Sequence, residues 1–265
     1  MKKLIGAGLL ICALTVPVFG SGQRVSGQQV LKVGATPVPH AELLALIKPD
    51  LAAAGITLQV IEFNDYVTPN TALITGDLDA NFFQHIPYLG SNDEWVQKLT
   101  SAFGVHIEPL GLYSSRVANV AALRNGASIA IPNDPTNEGR ALLLLQSNGL
   151  LTLSQNAGLT ATPRDIVSNP NNFRFQELEA AQLPRSLDDV DAAVINGNYA
   201  LEAGLNPTTD SLLLEGADSP YVNIIVVRKG FESDPRIQAL ATALRSQKVK
   251  DYINATWPGS VVAVF

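Results

Sequence analysis

Four short clusters combine polar and aromatic residues in ways that could do chemistry: "FNDY" (63–66), "NFFQH" (81–85), "PNDPTNEGR" (132–140) and "INGNY" (195–199). The second runs on into "IPYL", so two Phe, a Gln, a His, a Pro and a Tyr crowd the positions from Phe82 to Tyr88. A core strand favours rings without polar company, and a surface loop favours polar groups without rings. A ligand pocket needs both. On a strand, Phe82 and Phe83 point to opposite faces, so one belongs to the core and the other can wall a pocket with His85 beside it. His85 reads equally well as a helix-capping or loop histidine, and Tyr66 as a partly buried tyrosine.

The third cluster lies in "SIAIPNDPTNEGRALLLLQSNG" (128–149). A strand ends near Ile131, a polar loop follows, and a helix starts with Thr136 as N-cap. The free N–H groups of a helix start attract an anion. Arg140, one turn in, can add a bidentate grip on a carboxylate; alternatively it pairs with Glu138 or Asp134 on the surface. Gly139 is costly inside a helix and marks a close approach by another group. In "VINGNYALEAG", Asn196, Gly197 and Asn198 stand between a strand and a helix. Asparagine both donates and accepts, which suits the two charged groups of an amino acid, although Asn-Gly is also a turn signal. Asn223 leads an otherwise apolar strand in "SPYVNIIVV" and wants a partner, from backbone or ligand.

Enzyme and cofactor signatures are missing: no G-x-S-x-G, H-E-x-x-H, P-loop or G-x-G-x-x-G occurs. His40, His85 and His106 lie far apart without ligand-like spacing, so no metal site is expected, and no cofactor.

The elements that must position these residues alternate. Strands are predicted over 31–36, 57–63, 78–83, 107–113, 128–131, 173–178, 192–195 and 223–227. Helical periodicity covers 41–54 (with Pro49 set to kink it), 71–75, 94–103, 136–147, 180–187, 234–246 and 248–255. This predicts α/β architecture with mainly parallel sheets, in which ligands bind outside the carboxyl ends of strands. All four clusters fall at such exits.

The chain has 265 residues, 46% hydrophobic, with a net charge of −6. That is enough for one large domain or two modest lobes. Lys2 and Lys3 precede an apolar stretch, Leu4 to Val16, and Val18-Phe19-Gly20 offers small residues at the −3 and −1 sites before Ser21. Residues 1–20 therefore read as an export signal, too short to span a bilayer comfortably, and 21–29 as a flexible tether. Removing both lysines takes the charge from −6 to −8, a poor match for nucleic acid. Cys12, the single cysteine, lies in the signal, which excludes disulfides, zinc–cysteine sites and thiol nucleophiles from the mature chain.

Beyond these local signals, "KVGATPVPHAE" (32–42), "DANFFQHIPYL" (79–89), "HIEPLGLYS" (106–114), "IAIPNDPTNEGRALLLLQ" (129–146), "ELEAAQLPRSLDDVDAAVINGNYALEAGL" (177–205) and "DSPYVNIIVVR" (218–228) resemble the NlpA family, the methionine-binding proteins of bacterial ABC importers. The resemblance implies a two-lobed, type II-like periplasmic-binding-protein fold with the ligand in the cleft: lobe 1 from 30–112 plus 222–265, lobe 2 from 113–221. It implies a non-enzymatic receptor that captures L-methionine or a close analogue for an ABC permease and its ATPase. Carried over residue by residue, Arg140 holds the carboxylate, Asn198 and Asn223 the amino and carboxylate groups, and Tyr66, Phe82 or Phe83, and His85 the thioether side chain. D-Methionine, another apolar amino acid or a methionine-containing dipeptide remain alternatives, as does an adhesion or signalling role. Family members carry a lipidated Cys after the signal; Ser21 stands there instead, so membrane contact is expected only through the signal or a lipid anchor elsewhere.

Overall fold

Apolar runs between Gly and Pro stops become strands, and two main sheets and one two-stranded ribbon assemble from them. The computed structural model describes residues 29–216 and 219–265. The signal reading of 1–20 and most of the tether lie outside the described residues; Gln29, assigned to the tether, instead opens the first strand.

In chain order the strands are β1 Gln29–Ala35, β2 Ile56–Glu62, β3 Ala80–His85, β4 Leu99–Ile107, β5 Gly111–Tyr113, β6 Ser128–Pro132, β7 Thr152–Leu153, β8 Ile166–Ser168, β9 Arg174–Leu178, β10 Ala192–Ile195, β11 Leu213–Leu214, β12 Val222–Arg228 and β13 Val262–Ala263. The larger sheet runs β13-β4-β12-β3-β1-β2 and the smaller β11-β5-β10-β6-β9. Neither is wholly parallel. β1 pairs parallel with β2 and β3, but β12 lies antiparallel between β3 and β4. In the smaller sheet β6 is parallel to β9 and β10, while β5 is antiparallel to β10 and β11. The expected parallel character thus holds for the βαβ portions only. β5 and β12, the strands that enter a sheet from a crossing, are antiparallel to both of their neighbours.

β5 pairs in the smaller sheet, so the chain passes from the larger sheet to the smaller one through residues 108–110. The helix expected over 94–103 stops at Lys98, and Leu99 onward is extended. Pairing along the whole of β12 outweighs the local helical pattern there.

The larger sheet buries both faces. Leu31, Val33, Phe82 and Ile225 meet Leu44 and Ile47 of helix Glu42–Ala53, with Leu240 and Ile253 of the two C-terminal helices. On the other face Phe83, Ile224 and Val226 pack with Leu73, Tyr88 and Trp95. The second lobe closes around Ile129, Leu142, Leu145 and Val194. Helix Glu42–Ala53 continues through Pro49 as one element. Among the described residues, no helix is long and apolar enough to cross a membrane.

Helix Pro135–Ser147 explains its own glycine. A Cβ on Gly139 would stand 2.3 Å from the Leu159 carbonyl oxygen and 2.9 Å from the Ala161 nitrogen. Gly139→Ala gains about 1 kcal/mol in helix propensity. It loses about 1–3 kcal/mol to overpacking against rigid backbone, so a net loss is expected as a lower urea midpoint. An unchanged midpoint would show that the 158–160 segment yields freely.

Candidate functional site

The elements on each side of the crossings converge on one narrow cavity of about 20 Å³. The walls are therefore close together. From the larger-sheet side come Tyr66, Phe83, Gln84, His85, Tyr88 and Asn223; from the other, Asn137, Arg140, Asn196, Gly197 and Asn198; Glu108 enters from the first crossing. All four sequence clusters contribute, and six of the seven expected site residues line the space.

Phe82 is the exception. It is fully buried on the opposite face of β3, edge-on to His40 with ring centroids 4.5 Å apart. Strand alternation sends Phe83 to the cavity side and Phe82 into the core, so Phe82 is corrected from site to core residue.

One end of the cavity is aromatic. Tyr66, Phe83 and Tyr88 lie with centroids 5.8–6.0 Å apart. His85 stands at its polar edge and does two things. Its Nδ1 accepts from the Tyr88 backbone N–H at 3.1 Å, capping helix Ile86–Leu89. That makes Nε2 the donor, and it reaches Asn137 Oδ1 at 3.3 Å. Both sequence readings of His85, cap and pocket wall, are therefore realised together.

The other end is polar. The helix bearing Arg140 starts at Pro135 and is capped by Asp134, whose carboxylate accepts from the Asn137 N–H at 3.0 Å; Thr136 is not the cap. Asp134 also takes the Asn137 side-chain amide at 2.9 and 3.0 Å, which leaves Asn137 Oδ1 for His85 and for Asn196 at 2.9 Å. Arg140 is only 4% exposed. It pairs with neither Glu138 nor Asp134. Glu138 is two positions away and projects from another side of the helix. Arg140 instead donates through Nε to Glu215 Oε1 at 3.0 Å and through Nη2 to Glu215 Oε2, and Nη2 also reaches the Glu108 carbonyl at 2.8 Å. The Tyr221 ring lies 4.2 Å from its guanidinium carbon. Among the described residues Nη1 has no hydrogen-bond partner.

Asn198 accepts from the Tyr66 hydroxyl at 2.5 Å, across the cleft. Its Nδ2 is buried without a partner among the described residues, and so is Asn196 Oδ1. Such orphans are rare and costly unless something fills them. Here an unused donor and an unused acceptor line the same cavity.

Sequence reasoning missed Glu108, Asn137 and the pairing of His40 with His106; Asn196, singled out beside Asn198, also lines the wall. The two imidazoles, 66 positions apart in the chain, lie with ring centroids 5.1 Å apart beside Glu108. His106 Nε2 is 2.7 Å and His40 Nε2 3.2 Å from Glu108 Oε1, and their ligand atoms lie within 4.8 Å of one another. A tetrahedral ion with bonds of about 2.1 Å would hold its ligands about 3.4 Å apart; at 2.7 Å His106 and Glu108 hydrogen-bond directly instead. "HIEP" carried the signal, since a His and Glu two apart at the end of a strand share a face.

Burial holds all three imidazoles neutral: His40 falls from 6.5 to about 4, and His85 and His106 to about 3. Glu108 moves the other way, upward, from burial. Each imidazole gains its proton on unfolding below about pH 6.5, so its contribution to stability is full above that pH and is lost as pH falls toward 4 for His40 and 3 for the others. In imidazole NMR spectra of the folded chain, none of the three histidines is expected to titrate between pH 8 and 5. A midpoint near 6.5 for any of them would contradict its buried, neutral placement.

A profile of the NlpA lipoprotein family matches residues 31–265. The chain is 42% identical over 264 residues to the membrane lipoprotein TpN32 of Treponema pallidum, covering 98% of each chain. It is 40% identical over 269 residues to the D-methionine-binding lipoprotein MetQ of Salmonella typhimurium, covering 98% of this chain and 97% of that one. Among solved structures, a nutrient binding protein from Burkholderia cenocepacia bound to methionine is 47% identical, covers 89% of this chain and 100% of its own, and superposes with a TM-score of 0.86. With a matching profile along nearly all the described chain and full-length relatives at this identity, the protein belongs to the NlpA lipoprotein family.

Proposed function

We propose that the chain is a non-enzymatic, extracytoplasmic receptor that captures L-methionine, or a close analogue, in the cleft between its lobes and delivers it to an ABC permease with its ATPase. One observation carries this reading: a single buried cavity joins an aromatic end to a polar end whose unused groups match an amino-acid zwitterion. Arg140 Nη1 and Asn198 Nδ2 can donate to the carboxylate, and Asn196 Oδ1 can accept from the ammonium. Asn223, whose Oδ1 is engaged by His40 at 3.0 Å, presents its amide at the same end. Tyr66, Phe83 and Tyr88 surround the side-chain end, where aromatic rings make favourable contacts with a thioether sulfur. His85 forms the boundary. The methionine-bound Burkholderia relative supports the ligand class, and the signal-like residues 1–20 support export.

The lobes meet through the site. We take lobe 1 as 29–107 with 222–265 and lobe 2 as 111–214, with crossings at 108–110 and 215–221. Tyr66 to Asn198, Tyr199 to the Asn64 carbonyl at 3.3 Å, and His85 to Asn137 bridge them. A ligand that touches both sides stabilises this closed arrangement by the difference in its affinity for the closed and open states.

The test is calorimetric titration of residues 21–265, unfolded and refolded to strip carried-over ligand, against both enantiomers of methionine and a panel of amino acids. One-to-one binding of methionine is expected. Arg140→Ala alone would leave Glu215 without its partner, so the informative variant is Arg140→Ala with Glu215→Gln. It should fold and bind methionine at least about 30-fold more weakly, as expected for loss of a buried charge contact. Unchanged affinity in that variant would remove Arg140 from the site.

A further inference from the structure

Among the described residues Glu108 is the one carboxylate at the cavity wall, and no Lys or Arg forms an ion pair with it. It is 5% exposed and opens the first crossing. His106 Nε2 donates to its Oε1 at 2.7 Å. His40 Nδ1 lies 2.7 Å from the Thr36 hydroxyl, which serves as its donor and leaves the proton on Nε2. That N–H donates to Asn223 Oδ1 at 3.0 Å, and Nε2 also lies 3.2 Å from Glu108 Oε1. From the second lobe, the backbone at Gly197 and Asn198 packs against the Glu108 side chain. It can approach because residue 197 is glycine: a Cβ there would stand 2.8 Å from Glu108 Cβ.

An ionised carboxylate has about four acceptor positions; one takes the His106 N–H, and His40, the other imidazole beside it, is neutral as well. Burial favours the protonated form of Glu108, with His40 and Arg140 acting against it, but the hydrogen bonds of Arg140 go to Glu215 and to the Glu108 carbonyl rather than to the Glu108 carboxylate. A desolvated charge left this way is unfavourable until a counter-ion arrives. Asn196 Oδ1, a buried acceptor without a partner among the described residues, lines the same cavity. Together they offer a negative charge and a neutral acceptor, the complement of a primary ammonium.

Resting on the amino-acid-receptor reading, we infer that Glu108 is the counter-ion of the ligand's α-ammonium and the residue that makes the site require an amine. His40 and His106 are positioning residues: they hold the carboxylate through neutral N–H groups without neutralising it. The asparagines then complete the hydrogen bonding around the ammonium rather than carrying its charge.

The experiment compares L-methionine with 4-(methylthio)butanoate, which lacks only the amine, by calorimetry on wild-type chain 21–265 and on Glu108→Gln. Wild type should bind the deaminated acid at least about 100-fold more weakly. Glu108→Gln should lose at least about 30-fold in affinity for L-methionine and leave the deaminated acid within about threefold, so the preference collapses. A wild type that binds both equally, or a folded Glu108→Gln that keeps the full preference, overturns the assignment. If Glu108→Gln does not fold, Glu108→Asp, which keeps the charge but withdraws it by one methylene, should show the same partial collapse; an unaltered preference there also overturns it. Should wild type bind another amino acid and not methionine, the methionine reading fails alone, and the comparison is made with that amino acid and its deaminated acid. A wild type that binds no amino acid overturns both.

Discussion

The structure depends on one guanidinium. Arg140 projects from a helix of the second lobe, yet its hydrogen bonds go to the two segments that connect the lobes: the Glu108 carbonyl in the first crossing and the Glu215 carboxylate in the second, with Tyr221 of the second crossing stacked against it. A buried ion pair is costly to desolvate and worthwhile only when its remaining donors find partners. Here Nε and Nη2 do, while Nη1 has none among the described residues, and the result places the connection between lobes and the polar end of the cavity at the same point. Any shift of one lobe against the other must disturb the group that faces the cavity.

Around that anchor the walls are held by polar networks rather than by apolar packing alone. Asn70, Asn81 and Gln84 exchange four buried side-chain hydrogen bonds of 2.7–3.1 Å behind the end of β3. They fix helix Thr68–Thr75 against the strand that carries Phe83 and His85. Fully satisfied buried networks of this kind rigidify what they support. On the other side Asp134 organises Asn137, which in turn orients His85 and Asn196. The groups left unpaired at the centre are thus presented by neighbours that are fully engaged, which limits the ordering cost when a ligand arrives.

The two ends of the cavity follow from opposite uses of burial. At the aromatic end, burial raises the tyrosine hydroxyls far above their usual range and keeps them as neutral donors. At the polar end it keeps His40 and His106 neutral while Glu108 is pushed upward by the same desolvation. Glu138 shows the effect away from the cavity, rising to about 7 through burial and the nearby charges of Glu177, Asp134 and Asp165.

What the sequence determined by itself was local. Strand and helix alternation, the stops at Gly and Pro, and the gathering of chemically mixed clusters at or near strand ends, with 81–85 forming the last five residues of β3, all follow from periodicity and propensity, which act over a few residues. The close approach at Gly139 was legible for the same reason, since a glycine in a helix has a cost that something must offset. Tertiary structure decided matters between distant segments. Alternation said that one of Phe82 and Phe83 faces the core, but only the sheet's packing chose Phe82. Leu99 to Phe103 carried a helical pattern and became strand because β12 lay alongside to pair with it. Arg140 advertised a carboxylate partner, but Glu215 lies 75 positions away, and no local rule selects it over Glu138. His40, His106 and Glu108 meet only because a turn before the first helix and the end of β4 flank the same crossing. Their chemistry is set by burial, a property that a residue's type and neighbours in sequence do not contain.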